Sequence, residues 1–145
     1  MSAMPHAKRQ AGARELAAIL RALTGCDVRR GARQNEWECG LEGVPGWSLE
    51  VKRQAVAERA DIARWWTQAS AQARKVVRLL VLFYRADRDQ WRAVWPLAAH
   101  LRTQSIDRWS DYGWTVESSP EAWAAAAREF AMPRDTKTNP NNRRD

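Results

Sequence analysis

The sequence predicts an α/β fold with a mixed central sheet flanked by helices, and three stretches carry that reading. Residues 78–84 hold the nearly continuous apolar run Leu79-Leu80-Val81-Leu82-Phe83-Tyr84, the length and character of a central strand covered on both faces. Residues 61–77 place Ile62, Trp65, Trp66, Ala69, Ala73 and Val76 on one helical stripe. Residues 46–54 alternate as a strand does after the turn Val44-Pro45-Gly46. Strands, then a helix, then further strands is the order of an α/β arrangement.

In chain order, residues 1–10 read as a flexible polar leader. Residues 11–132 are long enough for one domain with its own core and too short for two. Ala13, Leu16, Ala17, Leu20 and Leu23 recur at spacings of three and four, an amphipathic helix that Thr24-Gly25 ends. Glu15 sits beside that stripe, where its ordinary role is a surface charge. Residues 26–33 look like a short strand bearing Arg29, Arg30 and Arg33. Residues 36–43 follow as a strand with Glu36, Glu38, Gly40 and Glu42 on one face. The helix after the hairpin carries Asp61 near its start, where the helix dipole favours an anion, and Gln68 and Gln72 one turn apart. Residues 85–90 form a charged turn, 91–95 a further strand stopped by Pro96, and residues 97–101 start a short helix. Beyond residue 104 the pattern weakens until the alanine-rich helix of residues 120–130, a helical C-terminal extension, and residues 133–145 read as a disordered tail.

Composition narrows the partners. A net charge of +7, with twenty arginines against four lysines, points to a polyanion, and arginine suits bidentate phosphate contacts. A G+C-rich genome produces the same arginine bias. No apolar run approaches the ~20 residues of a membrane helix, and no apolar segment follows the basic N-terminal residues as a secretory signal requires. A cytoplasmic protein with no membrane partner is the expectation. Two cysteines and two histidines make neither a disulfide framework nor a zinc site, so any metal would be oxygen-ligated. Most of the nine tryptophans, with no basic and aromatic alternation around them, read as packing anchors.

The chemistry concentrates on the hairpin strand. Glu50 and Lys52 share one face while Leu49, Val51 and Arg53 share the other. A carboxylate can hold a hard divalent cation, and a neighbouring lysine can orient an attacking water and offset phosphate charge, which together permit phosphodiester hydrolysis. A solvated cross-strand ion pair is the plain alternative. Pairing residues 36–43 with the strand across the turn sets Glu50 opposite Glu38, Cys39 or Gly40, depending on register. Acidic side chains gathered there would either share a cation or form a solvated acidic edge.

With these residues in view, the chain resembles the PD-(D/E)XK nuclease superfamily and, within it, the small Holliday-junction-resolvase-like proteins of phages and prophages. The resemblance covers residues 11–97. It rests on Arg14-Glu15-Leu16, on Glu50-Val51-Lys52-Arg53-Gln54 after the Val44-Pro45-Gly46 turn, on Trp65-Trp66-Thr67-Gln68-Ala69, and on Phe83-Tyr84-Arg85 with Trp91-Arg92-Ala93-Val94. It implies a restriction-endonuclease-like sheet, a Mg²⁺-dependent (Mn²⁺ possible) endonuclease acting on branched or structured DNA, and a homodimer. It assigns Glu15 and Glu50 to the metal and Lys52 to the attacking water. The family's hairpin aspartate has no counterpart, since no aspartate occurs from residue 28 to residue 60. Glu38 is the preferred replacement as catalytic and metal-binding acid and Glu42 the other; if neither serves, the chain is a nuclease fold kept for DNA binding, and a separate reading is a phage accessory protein that uses its tryptophans for a protein partner. Arg29, Arg30, Arg33, Arg53 and Arg85, with Gln68, are the expected DNA contacts.

Overall fold

A computed structural model describes residues 6–31, 40–76, 78–100 and 110–131. Six strands form one mixed sheet in the order β1-β2-β3-β4-β5-β6, so every strand neighbours its successor in sequence. The chain opens with helix α1 (His6–Thr24), then β1 (Arg29–Arg30), β2 (Gly40–Glu42) and β3 (Trp47–Arg53). Helix α2 (Arg59–Lys75) crosses to β4 (Leu79–Arg85), which runs parallel to β3, and β5 (Arg92–Pro96) turns back antiparallel. A 3₁₀ turn (Leu97–His100), a second one (Tyr112–Trp114), the edge strand β6 (Thr115–Ser118) and helix α3 (Pro120–Ala126) complete it, α3 running on as a π-helical turn through Ala131.

Alternation on β4 explains why the central apolar run is continuous. Val81 and Phe83 join the core under α1 and α3, while Leu80, Leu82 and Tyr84 join the core under α2. Both sets are buried because both sheet faces are covered. Packing under α1 and α3 centres on Trp123, which meets Trp47 and Phe83 edge to face at 5.4 and 5.2 Å, the arrangement that aromatic quadrupoles favour. Trp65, Trp66, Trp91 and Trp95 are buried as well, in keeping with tryptophans as packing anchors.

Local chemistry sets the boundaries. Asp61 reaches back to the Glu58 amide at 3.0 Å in a capping box that starts α2, and that backbone bond, then Arg64, hold its carboxyl below the usual range. Pro45 and Gly46, the latter at φ 81°, supply the middle of a tight turn whose Trp47 amide donates to Val44 O at 3.2 Å. Ser119 caps α3 through the Ala122 amide at 3.1 Å, with Pro120 at the first helical position.

Three boundaries differ from the sequence reading. Helix α1 begins at His6, so residues 6–10 of the expected leader are helical: Ala, Lys, Arg and Gln are good helix formers that extend a helix whose later turns are anchored on the sheet. Within the strand expected over residues 26–33, of which residues 32–33 lie outside the described residues, the strand begins only at Arg29, because a tight turn from Val28 N to Cys26 O (2.9 Å) precedes it. Strand β6, in the region where the pattern weakened, forms because four residues suffice to add an edge to β5. Among the described residues, no helix is long and apolar enough to cross a membrane.

Candidate functional site

Strand β3 divides its side chains between two environments. Trp47, Leu49 and Val51 are buried on the α1 side, whereas Ser48, Glu50 and Lys52 are half-buried on the other. The parallel register places Glu50 beside Leu82 and Lys52 beside Tyr84, both members of the core under α2. An acid and a base therefore stand on the α2 face about 6.8 Å apart along the strand. The expectation that they share a face opposite Leu49 and Val51 holds.

Register on the other flank matters most for a metal. Gly40 stands directly opposite Glu50, with Leu41 opposite Leu49. A side chain at position 40 would project beside Glu50, and a Cβ built there meets only Leu49 O at 3.7 Å, an ordinary contact. Of the three registers open to the sequence, the one with Gly40 across from Glu50 is found. Glu38 itself lies outside the described residues, as does Arg33. Glu42 is drawn outward, its carboxylate 3.6 Å from Arg29 Nε in a cross-strand ion pair.

Glu15 is not brought to Glu50. It projects from α1, on the opposite side of the sheet, and its Oε1 accepts hydrogen bonds from Arg85 Nη1 at 2.7 Å and from the Trp91 indole at 3.0 Å. Arg85 also donates to Asp89 O at 2.8 Å. Arg53 is held as firmly: its Nη2 lies 2.7 Å from Asp87, its Nη1 donates to Gln54 O at 2.9 Å, and only 12% of its side chain is exposed. The close approach of Gly12 on α1, where a Cβ would touch Arg53 Cβ at 3.0 Å, confines it further. Two of the five arginines expected on DNA, Arg53 and Arg85, are thus committed within the protein. Arg29 and Arg30, neighbours on one strand, point to opposite faces. Gln68 is exposed on the outer side of α2, away from the sheet.

Tertiary structure adds residues to the Glu50 and Lys52 face that the sequence reading passed over. The Tyr84 hydroxyl donates to Glu117 Oε1 at 2.7 Å, and Arg92 Nη2 approaches Glu117 Oε2 at 3.4 Å. Burial first, and then the Glu117 carboxylate, push the Tyr84 phenol well above its ordinary value; the same two causes raise Tyr112. By its place at the end of the apolar run, Tyr84 reads as the last residue of a core strand. Its polar tip was the available signal, since a buried tyrosine hydroxyl needs a partner.

Among the described residues, no three His, Cys, Asp or Glu side chains converge as a metal site. Among the described residues, Glu50 provides a hard oxygen donor beside Lys52, which meets part of what Mg²⁺ takes, namely one or two carboxylates completed by waters and substrate phosphate. No protein-family profile, curated protein or solved structure matches this chain.

Proposed function

We propose that this protein acts on DNA as a restriction-endonuclease-like nuclease of the PD-(D/E)XK type, a metal-dependent endodeoxyribonuclease for branched or structured substrates that works as a homodimer. The observation that carries the reading is the placing of Glu50 and Lys52 on one half-buried face of β3. An order of helix, three antiparallel strands, crossover helix and parallel strand supports it, as does the charge of +7. A divalent cation, when bound, would neutralise charge on a phosphoryl oxygen. Glu50 is the side chain that would hold it, and Lys52 orients the attacking water and faces the phosphate.

A second reading has its own support: a nuclease fold kept for DNA binding without catalysis. Glu15 is committed to Arg85 and Trp91 on the far face, and the strand position across from Glu50 is a glycine. One assay separates the two. The parent is incubated with a four-way junction and with linear duplex in Mg²⁺ or Mn²⁺, alongside Lys52→Ala and Gly40→Asp. The first reading expects junction cleavage that falls by about 100-fold or more in Lys52→Ala with binding retained. Cleavage by Gly40→Asp but not by the parent would establish the second, because the new carboxylate lands beside Glu50. Cleavage by Lys52→Ala at the parent rate would remove the lysine from the chemistry.

A further inference from the structure

Lys52, Tyr84 and Arg92 lie side by side on β3, β4 and β5, since Lys52 pairs in register with Tyr84 and Tyr84 with Arg92. All three face the α2 side, as does Glu117, which pairs with Val94 of the core under α2. Glu117 binds both Tyr84 and Arg92. Tyr112 packs against the core under α2 at the same corner, and α2, whose first residue is Arg59, touches the turn that holds Tyr112. Elements far apart in sequence thus converge on three cations, two tyrosines and one carboxylate.

The three cations differ in kind from Arg53 and Arg85. Among the described residues, Arg92 makes one long contact, 3.4 Å to Glu117, with 39% of its side chain exposed, so most of its five N–H donors face no described partner. Arg59 is exposed, and no ion pair or hydrogen bond to a described residue engages its side chain. Lys52 and Arg92 stand two strand spacings apart, about 9.6 Å, on either side of Tyr84. A guanidinium held at one oxygen of an edge carboxylate can exchange that contact for a bidentate one to phosphate.

We propose that Arg92 and Arg59 form a phosphate-gripping subsite beside Lys52 for the backbone of a DNA strand, with Glu117 as the counter-anion that holds Arg92 and Tyr84 in place until phosphate takes over the guanidinium. This rests on DNA as the partner and places the DNA on the α2 face. On the opposite side of the sheet, Arg53 and Arg85 are tied down within the protein.

The test is equilibrium binding of a fluorescent four-way junction and of linear duplex in EDTA, where no cleavage intervenes, across a range of salt. Arg92→Ala and Arg59→Ala should each weaken binding by about five- to tenfold and reduce the slope of log affinity against log salt by about 1. Arg92→Lys should keep the slope and lose affinity, because the ammonium retains charge without the fork. Glu117→Gln keeps an acceptor for Tyr84 and removes the competing charge, so binding should tighten by about two- to threefold. Glu121→Gln, the same charge change on α3 across the sheet, should leave affinity near the parent's. Thermal melts establish that each variant is folded. An unchanged slope in folded Arg92→Ala and Arg59→Ala overturns the subsite, as does equal tightening by Glu121→Gln. A parent that binds no DNA overturns both this subsite and the proposed function. Arg92-dependent binding by a parent that never cleaves leaves the subsite standing and ends the endonuclease reading alone.

Discussion

The two faces of the sheet use the same strands in different ways. On the α1 and α3 side, tryptophans interlock and the polar rim closes on itself, with Glu15 taking two donors and Arg53 gripping Asp87. On the α2 side, apolar packing covers Leu80, Leu82 and Val94, then gives way to Glu50, Lys52, Arg92 and the Glu117 corner. A face whose ions satisfy one another at 2.7 Å stabilises the fold and has little left to offer a ligand. The face whose cations are half-buried and loosely held is where recognition can occur.

That contrast can be broken from either side. The largest effect should come from Trp123→Ala, which empties a fully buried ring between Trp47 and Phe83 and costs about 3–5 kcal/mol in unfolding free energy, read by denaturant titration. A loss below about 1 kcal/mol would mean the α1 side is not the stabilising face.

Glu15→Ala should follow with about 1–2 kcal/mol, because it leaves Arg85 and the Trp91 indole without their shared acceptor while their surroundings remain partly wet. Cleavage per folded molecule should be unchanged. A strong loss of cleavage at unaltered stability would return Glu15 to the chemistry and erase the distinction between the faces.

The smallest effect, and the sharpest on the α2 side, is the alkaline behaviour of Tyr84. Its folded-state pKa is raised, so the protonated phenol contributes stability that is fully present below about pH 10, the value for an unfolded tyrosine, and is lost as pH rises beyond it. Tyr84→Phe should therefore cost about 0.5–1.5 kcal/mol at neutral pH, and its deficit should shrink above pH ~10. A deficit that stays constant through the alkaline range would mean that Glu117 does not hold the phenol.

Much of the fold was legible because single-strand and single-helix periodicity reports burial directly. The stripe of Ile62, Trp65, Trp66 and Ala69 packs as its spacing implied, and the run from Leu79 to Tyr84 became the strand buried on both faces. The hairpin alternation put Glu50 and Lys52 on one side for the same reason. Less of the site could be read. Glu15 and Glu50 were joined by resemblance, but period-two alternation on β3 says nothing about which side of the sheet α1 covers. Strand β6 is four residues long, too short for a period to register against its neighbours.

From its own pattern, then, the chain determined the α/β order, the central strand, the hairpin turn and the shared face of Glu50 and Lys52, since each depends on residues within a few positions of one another. Tertiary structure alone decided that Gly40 stands across from Glu50, that Glu15 is spent on Arg85 and Trp91, and that Tyr84, Arg92 and Glu117 meet beside Lys52. Those outcomes depend on strand register and on which helix covers which face, quantities set by the packing of distant segments against each other and carried by no local repeat.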